Sequence, residues 1–229
     1  VLVGADYSQI ELRVAAHLAN DEKMLEAFRK KEDIHRTTAS LIHNIQPEEV
    51  TDEMRRQAKV LNFGIIYGMG SYGLSQAAGT DQQAAAKFIH EYLEKFSGIA
   101  RYMEDMKRFA REKGYVETEI GRRRYVPEII SSNQQIARAA ERMAINMPIQ
   151  GLEADIVKLA MLAADTLITE KFSGSVRMLL QVHDELIFEV REETVEDFMP
   201  EIKKTMEGVY ALKAPLVVEV FKGKNWGEI

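Results

Sequence analysis

Residues 1–6 read Val-Leu-Val-Gly-Ala-Asp, and this short run sets how the fold begins. A series of apolar and small residues followed by an acid predicts a buried β-strand that ends in a polar turn. Two further strands are predicted at 176–180 and 185–190, around a tight turn at His183-Asp184, and a last strand at 216–221. Strands therefore lie at both ends of the chain, and helices fill the middle. This order predicts an α+β fold: a small antiparallel sheet with a large helical insertion.

The helical middle is predicted from apolar residues that recur every three to four positions. Thr51 is a suitable N-cap because two acidic residues follow it in the first turn of its helix. Pro148 is predicted to separate two helices, since proline breaks a helix interior. The predicted helices begin near Ile10 and cover 33–43, 51–67, 80–96, 99–113, 134–146, 151–170 and 192–207, with a strand or hairpin arm at 115–121.

Composition excludes several classes of protein. The chain has 229 residues, 46% of them hydrophobic, and no cysteine. The missing cysteine excludes a disulfide scaffold, a thiolate zinc site and a thiol nucleophile. No apolar stretch approaches the roughly 20 residues that cross a bilayer, so no membrane partner is expected. The chain opens on an apolar strand and not on a signal peptide, which predicts a cytoplasmic location, nucleoid-associated in a bacterium; an organellar or phage origin stays open.

The net charge of −6 argues only weakly against a nucleic-acid partner. Phosphate binding depends on local basic clusters, which a mean charge averages away. Arg55-Arg56 and Arg122-Arg123-Arg124 are such clusters. Carboxylates that hold metal ions would also lower the average.

Three acidic residues, at two places in the sequence, carry the first candidate chemistry. Asp6 ends a predicted buried strand, and Asp184 and Glu185 lie at the predicted hairpin tip. Strand-end carboxylates are rigidly placed ligands for Mg²⁺, and a pair of such ions stabilises a phosphoryl transfer. The structural alternatives are that Asp6 only caps the next helix and that Asp184 only serves the turn.

A stripe of residues along one predicted helix carries the second candidate chemistry. Arg55, Lys59, Phe63 and Tyr67 recur at steps of four, which places two cations and two aromatic rings on one helix face. Cations near a helix N-terminus favour phosphate, and the rings suit stacking on a base. The alternative is a salt-bridged surface at one end and core aromatics at the other.

Three strings in this order resemble motifs A, B and C of the DNA polymerase I family (family A polymerases). They are DYSQIELR at 6–13, RRQAKVLNFGIIYG at 55–68 and QVHDE at 181–185, with further matches at 33–35, 121–127 and 139–151. The resemblance implies a template-directed DNA polymerase of replication and repair, a nucleotidyltransferase that joins a dNTP to a primer 3′-hydroxyl with two Mg²⁺ ions.

The resemblance also implies roles for individual residues. The metal ligands are the carboxylates of Asp6 and Asp184 and the backbone carbonyl of Tyr7, and Glu185 has a secondary catalytic role. Glu11 matches a steric gate that excludes ribonucleotides. The residues implied in dNTP binding are Gln9, Glu11, His35, Arg55, Lys59, Phe63 and Tyr67, with Lys59 also catalytic. The residues implied in DNA binding are Arg142, Asn146, Gln150 and His183.

The resemblance further implies an incomplete right-hand fold without its thumb. Residues 1–16 and 144–229 match the palm, and 17–143 match the fingers. The chain is then expected to be the C-terminal portion of a polymerase, and some strands that pair with residues 1–7 are expected to be missing. The implied partners are primer–template DNA, a dNTP, and the N-terminal remainder with the thumb and the rest of the palm.

Two other functions stay open at this point. One is a non-catalytic fragment that binds primer–template DNA, against which the intact Asp6, Asp184, Arg55 and Lys59 argue. The other is an RNA-synthesising relative, which Glu11 disfavours. Residues 151–154, Gly-Leu-Glu-Ala, depart from the small residues of the family at this place, which leaves the packing after Gln150 open.

Overall fold

Four strands form one antiparallel sheet, and two short strands form a separate hairpin. The structure is a computed structural model that describes all 229 residues. Within the main sheet the strand order is β4-β5-β1-β6. The α+β prediction with a small antiparallel sheet is confirmed. The strands are β1 (Leu2–Tyr7), β2 (Tyr115–Glu117), β3 (Arg123–Tyr125), β4 (Val176–Val182), β5 (Glu185–Val190) and β6 (Val218–Gly223).

Strand β1 is paired along both of its edges. It runs antiparallel to β5, from Leu2 opposite Glu189 to Asp6 opposite Glu185, and antiparallel to β6, with Tyr7 opposite Val218. The expectation that some partners of this strand are missing is therefore wrong. Strand β6, from the other end of the sequence, pairs with the second edge of β1. Sequence analysis did not predict this pairing because the two strands are far apart along the chain.

Nine helices make up most of the remaining chain. Two of them were not predicted: α2, and α5, which lies in a glycine-rich stretch. Asp21 caps α2, and Gly79 ends α5 in the left-handed conformation that glycine adopts readily. The helices are α1 (Ile10–Ala19), α2 (Glu22–Arg29), α3 (Ile34–His43), α4 (Asp52–Ile66), α5 (Ser71–Ala78), α6 (Gln82–Lys95), α7 (Ser97–Lys113), α8 (Gln134–Lys171) and α9 (Val195–Glu207).

Pro148 does not separate two helices. It lies inside α8, which is one helix of 38 residues. An interior proline costs about 3 kcal/mol, since it removes one backbone hydrogen bond. Burial of Ile145, Ile149 and Leu152 around it offsets that cost. The hydroxyl of Tyr102 also donates to the carbonyl of Ile145 at 2.9 Å, so a tertiary contact supports the helix next to the proline.

The chain divides into two compact units. Unit 1 contains residues 1–11 and 152–229, and unit 2 contains residues 12–151. In the core of unit 1 the rings of Phe188 and Phe198 meet edge to face at 5.1 Å, and the buried Tyr7 hydroxyl donates to the Met206 carbonyl at 2.7 Å. These contacts fix β1 and β5 against α9 and so position the sheet that carries Asp6.

A buried carboxylate organises unit 2. Asp21, only 3% exposed, accepts a hydrogen bond from the Met24 backbone at the start of α2. Its other oxygen accepts from the backbone of Gly98 at 2.8 Å and of Ile99 at 3.3 Å, at the start of α7. One side chain therefore caps two helices that are distant in sequence. None of the helices has the length and apolar character needed to cross a membrane.

Candidate active site

The sheet of unit 1 brings Asp6 and Asp184 together. Asp6 lies directly opposite Glu185 on the neighbouring strand, and the backbone N–H of Tyr7 donates to the carbonyl of Asp184 at 3.4 Å. The two acids are 178 positions apart in sequence (184 − 6). Their adjacency follows from the antiparallel pairing of β1 with β5.

Mutual repulsion and burial act on these carboxyl groups. Burial, together with the nearby carboxylates of Asp184, Glu185 and Glu219, raises the pKa of Asp6 to about 6. Burial also raises the pKa values of Asp184 and Glu185 above their ordinary range. A divalent cation would relieve this repulsion, which is the electrostatic setting expected of a metal site.

The backbone beside both acids is strained. Gln9, just after β1, has φ of 56°, and His183, in the hairpin turn, has φ of 53°. Left-handed conformations in residues other than glycine are uncommon and cluster at functional sites. Tyr7 points to the opposite face of the sheet, where its side chain is buried, so only its backbone faces the acidic side.

Two further acidic residues belong to the acidic cluster around Asp6, Asp184 and Glu185, and sequence analysis did not identify them as site residues. Glu219 lies opposite Asp6 on β6, and Glu153 lies on α8. Burial, with the charges of Glu11 and Asp184, raises the pKa of Glu153 to about 8. The departure of residues 151–154 from the family pattern was the only sequence signal for Glu153.

We expect Glu153 to make the stability of unit 1 depend on pH. Its carboxyl holds a proton more firmly in the folded than in the unfolded chain, so this contribution to stability is full below the ordinary pKa of 4.5, declines as the pH rises above it, and is lost once the pH passes the folded pKa of about 8. Between about pH 6 and about pH 8 the loss is about 2 kcal/mol. Glu153→Gln should remove it, as followed by unfolding monitored at Trp226 in metal-free buffer; a variant that keeps the wild-type pH profile contradicts the assignment.

In unit 2, α4 presents the predicted stripe on its outer side. Lys59 is exposed, and Arg55, Phe63 and Tyr67 are half-exposed, while Leu61 and Ile65 on the other side are buried. The two aromatic residues are therefore not simple core residues. Thr51 caps the helix by accepting a hydrogen bond from Met54 at 3.2 Å, as predicted.

Asp33, the N-cap of α3, holds the start of this stripe. One Asp33 oxygen accepts from the backbones of His35 and Arg36, and the other accepts from Arg55 Nε at 2.6 Å. Burial opposes ionisation of Asp33, but the hydrogen bond from Arg55 and the backbone N–H groups lower its pKa overall. The ion pair fixes one edge of the Arg55 guanidinium and leaves its other N–H groups for a ligand.

His35 is 2% exposed, with its ring 5.9 Å from that of Phe63. The side-chain amide nitrogen of the buried Asn62 lies 2.9 Å from His35 Nδ1. Burial, together with the cations of Arg55 and Lys59 and against the opposing charge of Asp33, lowers the pKa of His35 to about 4. His35 is therefore neutral at physiological pH.

Two of the predicted DNA-binding residues of unit 2, Asn146 and Gln150, lie beside the arginine run 122–124. A cavity of about 640 Å³ is lined by Arg122, Arg123, Arg124, Met143, Asn146, Met147, Gln150 and Gly151. Asn146 donates to the Tyr67 carbonyl at 3.4 Å, and its buried Oδ1 has no hydrogen-bond partner. Arg142 does not line the cavity; its Cγ lies 2.8 Å from the position that a Cβ on Gly68 would take.

The acidic cluster fits Mg²⁺ as a partly built site. No group of three or more His, Asp or Glu side chains is arranged to enclose a metal ion. Mg²⁺ usually takes one or two protein carboxylates and completes its octahedron with water and substrate phosphates. Asp6 and Asp184 supply that number of carboxylates, so the residues present are compatible with the ion.

Comparisons with known proteins agree on one family. The family model described as DNA polymerase family A matches residues 1–228. The chain is 48% identical over 228 residues to DNA polymerase I of Pseudomonas aeruginosa and 49% identical over 226 residues to that of Bacillus subtilis. These alignments cover 99% of the chain but only 25% and 26% of the relatives, so the chain spans about a quarter of their length.

A solved structure is also similar. It is the polymerase domain of Pol1 from M. smegmatis in complex with DNA primer–template and dNTP, with a TM-score of 0.93 and 43% sequence identity. The match covers 98% of this chain and 40% of that chain.

Proposed function

The chain belongs to DNA polymerase family A, and on that premise we propose that it provides the palm and fingers portion of a template-directed DNA polymerase. Residues 1–16 and 144–229, which include unit 1, act as the palm, and residues 17–143 of unit 2 act as the fingers. The observation that carries the proposal is the adjacency of Asp6 and Asp184 at the ends of paired strands. A binding-only fragment has no need for two half-buried acids that repel each other.

The carboxylates of Asp6 and Asp184 and the Tyr7 carbonyl would hold Mg²⁺. When bound, the ions supply Lewis-acid chemistry: they lower the pKa of the primer 3′-hydroxyl and neutralise charge on the leaving pyrophosphate. Glu185 has a secondary role beside the pair, and Glu11 acts as the steric gate against a 2′-hydroxyl.

The stripe on α4 binds the nucleotide. Arg55 and Lys59 bind the triphosphate, Phe63 packs on sugar and base, and Tyr67 stacks at the templating position. The Asp33 ion pair supports this role of Arg55, because it orders a long side chain before the ligand arrives. His35 belongs to the same site as a neutral residue, and Gln9 and His183 contact the primer terminus or the minor groove.

The arginine-lined cavity of unit 2 supports DNA binding. Arginines near phosphates give affinity, and Arg142, Asn146 and Gln150 check base-pair shape from the minor groove without reading sequence. Other polymerase segments supply the thumb and the rest of the palm.

The test is Mg²⁺-dependent primer extension by a chimera. In the chimera this chain replaces the matching quarter of the Pseudomonas aeruginosa polymerase. We expect template-directed dNTP incorporation that stops in EDTA and strongly prefers dNTPs to rNTPs. A chimera that binds primer–template but incorporates nothing supports the non-catalytic alternative, and efficient rNTP incorporation supports an RNA-synthesising relative.

A further inference from the structure

Gly4 lies on the same face of the sheet as Asp6, next to the acidic residues. It is two residues from Asp6 on β1 and therefore points to the same side. Its neighbours across the sheet are Ile187 on β5 and Phe221 on β6. Gly4 is buried, and its φ is not positive, so the backbone conformation does not require glycine.

Space is the reason for glycine at this position. A Cβ on Gly4 would lie 2.6 Å from Glu185 Oε1, well inside contact distance. Glu185 is the cross-strand partner of Asp6, not of Gly4. Its carboxylate has therefore turned along β1 and lies over Gly4.

The space above Gly4 that the Glu185 carboxylate occupies is a hollow, and the segment 225–229 lies along one side of it. The Cβ and Cδ1 of Ile229 lie 3.6 Å from the position of a Cβ on Gly4, and Ile229 Cγ2 lies 3.1 Å from that of a Cβ on Gly223. The segment is held by the Glu228 carboxylate, which accepts from the Lys224 backbone at 2.7 Å and from the Asn225 side chain at 2.6 Å. Gly4 and Gly223 therefore line the bottom of the hollow, and the apolar side chain of Ile229 lines one side.

We propose that Gly4 is a positioning residue that creates a hollow for the Glu185 carboxylate and so keeps it out of the Asp6–Asp184 pair in the free chain. The inference rests on the proposed metal-binding role of that pair. A third carboxylate at the pair would add charge and a ligand, and so would tighten cation binding before substrate arrives. With Glu185 over Gly4, the remaining ligand positions are left to the nucleotide phosphates.

Gly4→Ala tests this arrangement directly. The clash is with the free end of a flexible side chain, so the variant can fold by moving Glu185. We expect the 229-residue chain with this substitution to bind Mn²⁺, measured by electron paramagnetic resonance, about 5-fold more tightly than wild type. The double variant Gly4→Ala with Glu185→Gln should lose that gain.

A second comparison does not depend on how Gly4→Ala folds. In the otherwise wild-type chain, Glu185→Gln should weaken Mn²⁺ binding by only about 2-fold, because it removes a neighbouring charge and not a ligand. Asp184→Asn should weaken it more than about 10-fold.

The results of these Mn²⁺-binding measurements separate the proposal for Gly4 from the proposed metal site. Unchanged or weaker Mn²⁺ binding by a folded Gly4→Ala chain overturns the proposal for Gly4, as does Glu185→Gln being as damaging as Asp184→Asn. Both results leave the metal pair standing. Unaltered Mn²⁺ binding in Asp184→Asn overturns the metal site and the role of Gly4 together.

Discussion

Asp184→Asn in the chimera should lower the rate of nucleotide incorporation by roughly 10³-fold, equivalent to about 4 kcal/mol of transition-state stabilisation. Asparagine keeps the size of the side chain but removes the negative charge that the cation requires. Asp184 is half-buried, and its backbone is held next to Asp6 by the hydrogen bond from the Tyr7 N–H. Affinity for primer–template, measured by fluorescence anisotropy, should be unchanged or slightly higher, because one negative charge is removed.

Glu189→Gln is the matched control for this experiment. It removes the same charge five residues further along the chain, on β5, at the exposed position opposite Leu2. We expect wild-type incorporation from it. Near-normal synthesis by Asp184→Asn, or an equal loss in both variants, contradicts the assigned role of Asp184.

Asp21→Ala should destabilise unit 2 by about 3 kcal/mol. The substitution removes the acceptor of three backbone N–H groups at the starts of α2 and α7, in a place that water does not reach. Loss of an N-cap costs about 1 kcal/mol, and a buried unsatisfied donor costs about 1–3 kcal/mol. Urea unfolding followed by far-ultraviolet circular dichroism measures the change, since the single tryptophan, Trp226, lies in unit 1.

Asp81→Ala provides the comparison for this prediction. Asp81 caps α6 through bonds from Gln83 at 2.9 Å and Ala84 at 2.8 Å, but it is exposed. Water can replace its oxygen, so we expect a loss of about 1 kcal/mol. Equal effects at the two sites would show that Asp21 is an ordinary helix cap and not a link between helices.

Local patterns predicted the parts of the candidate site that lie within one element. The spacing of Arg55, Lys59, Phe63 and Tyr67 placed them on one side of α4, and the strand-end positions of Asp6 and Asp184 marked the acidic face. These predictions succeeded because helix and strand periodicity determine which side chains share a face. The roles of these residues remain proposals.

Features that depend on tertiary contacts were not predictable in the same way. Pro148 lies within α8 because buried neighbours offset its cost, and no pattern near the proline shows this. Glu153 lies near Glu11 and Asp184 because of the path that the long helix α8 takes through the fold. The pairing of β6 with β1 joins the two ends of the sequence, which local propensity does not encode.

Diffraction from crystals of the 229-residue chain grown with Mn²⁺ and a dNTP tests the central claim most directly, because the anomalous signal of manganese locates the cation without reference to activity. We predict manganese bound by the carboxylates of both Asp6 and Asp184. Manganese held elsewhere, with these two carboxylates unliganded, would contradict the proposed mechanism.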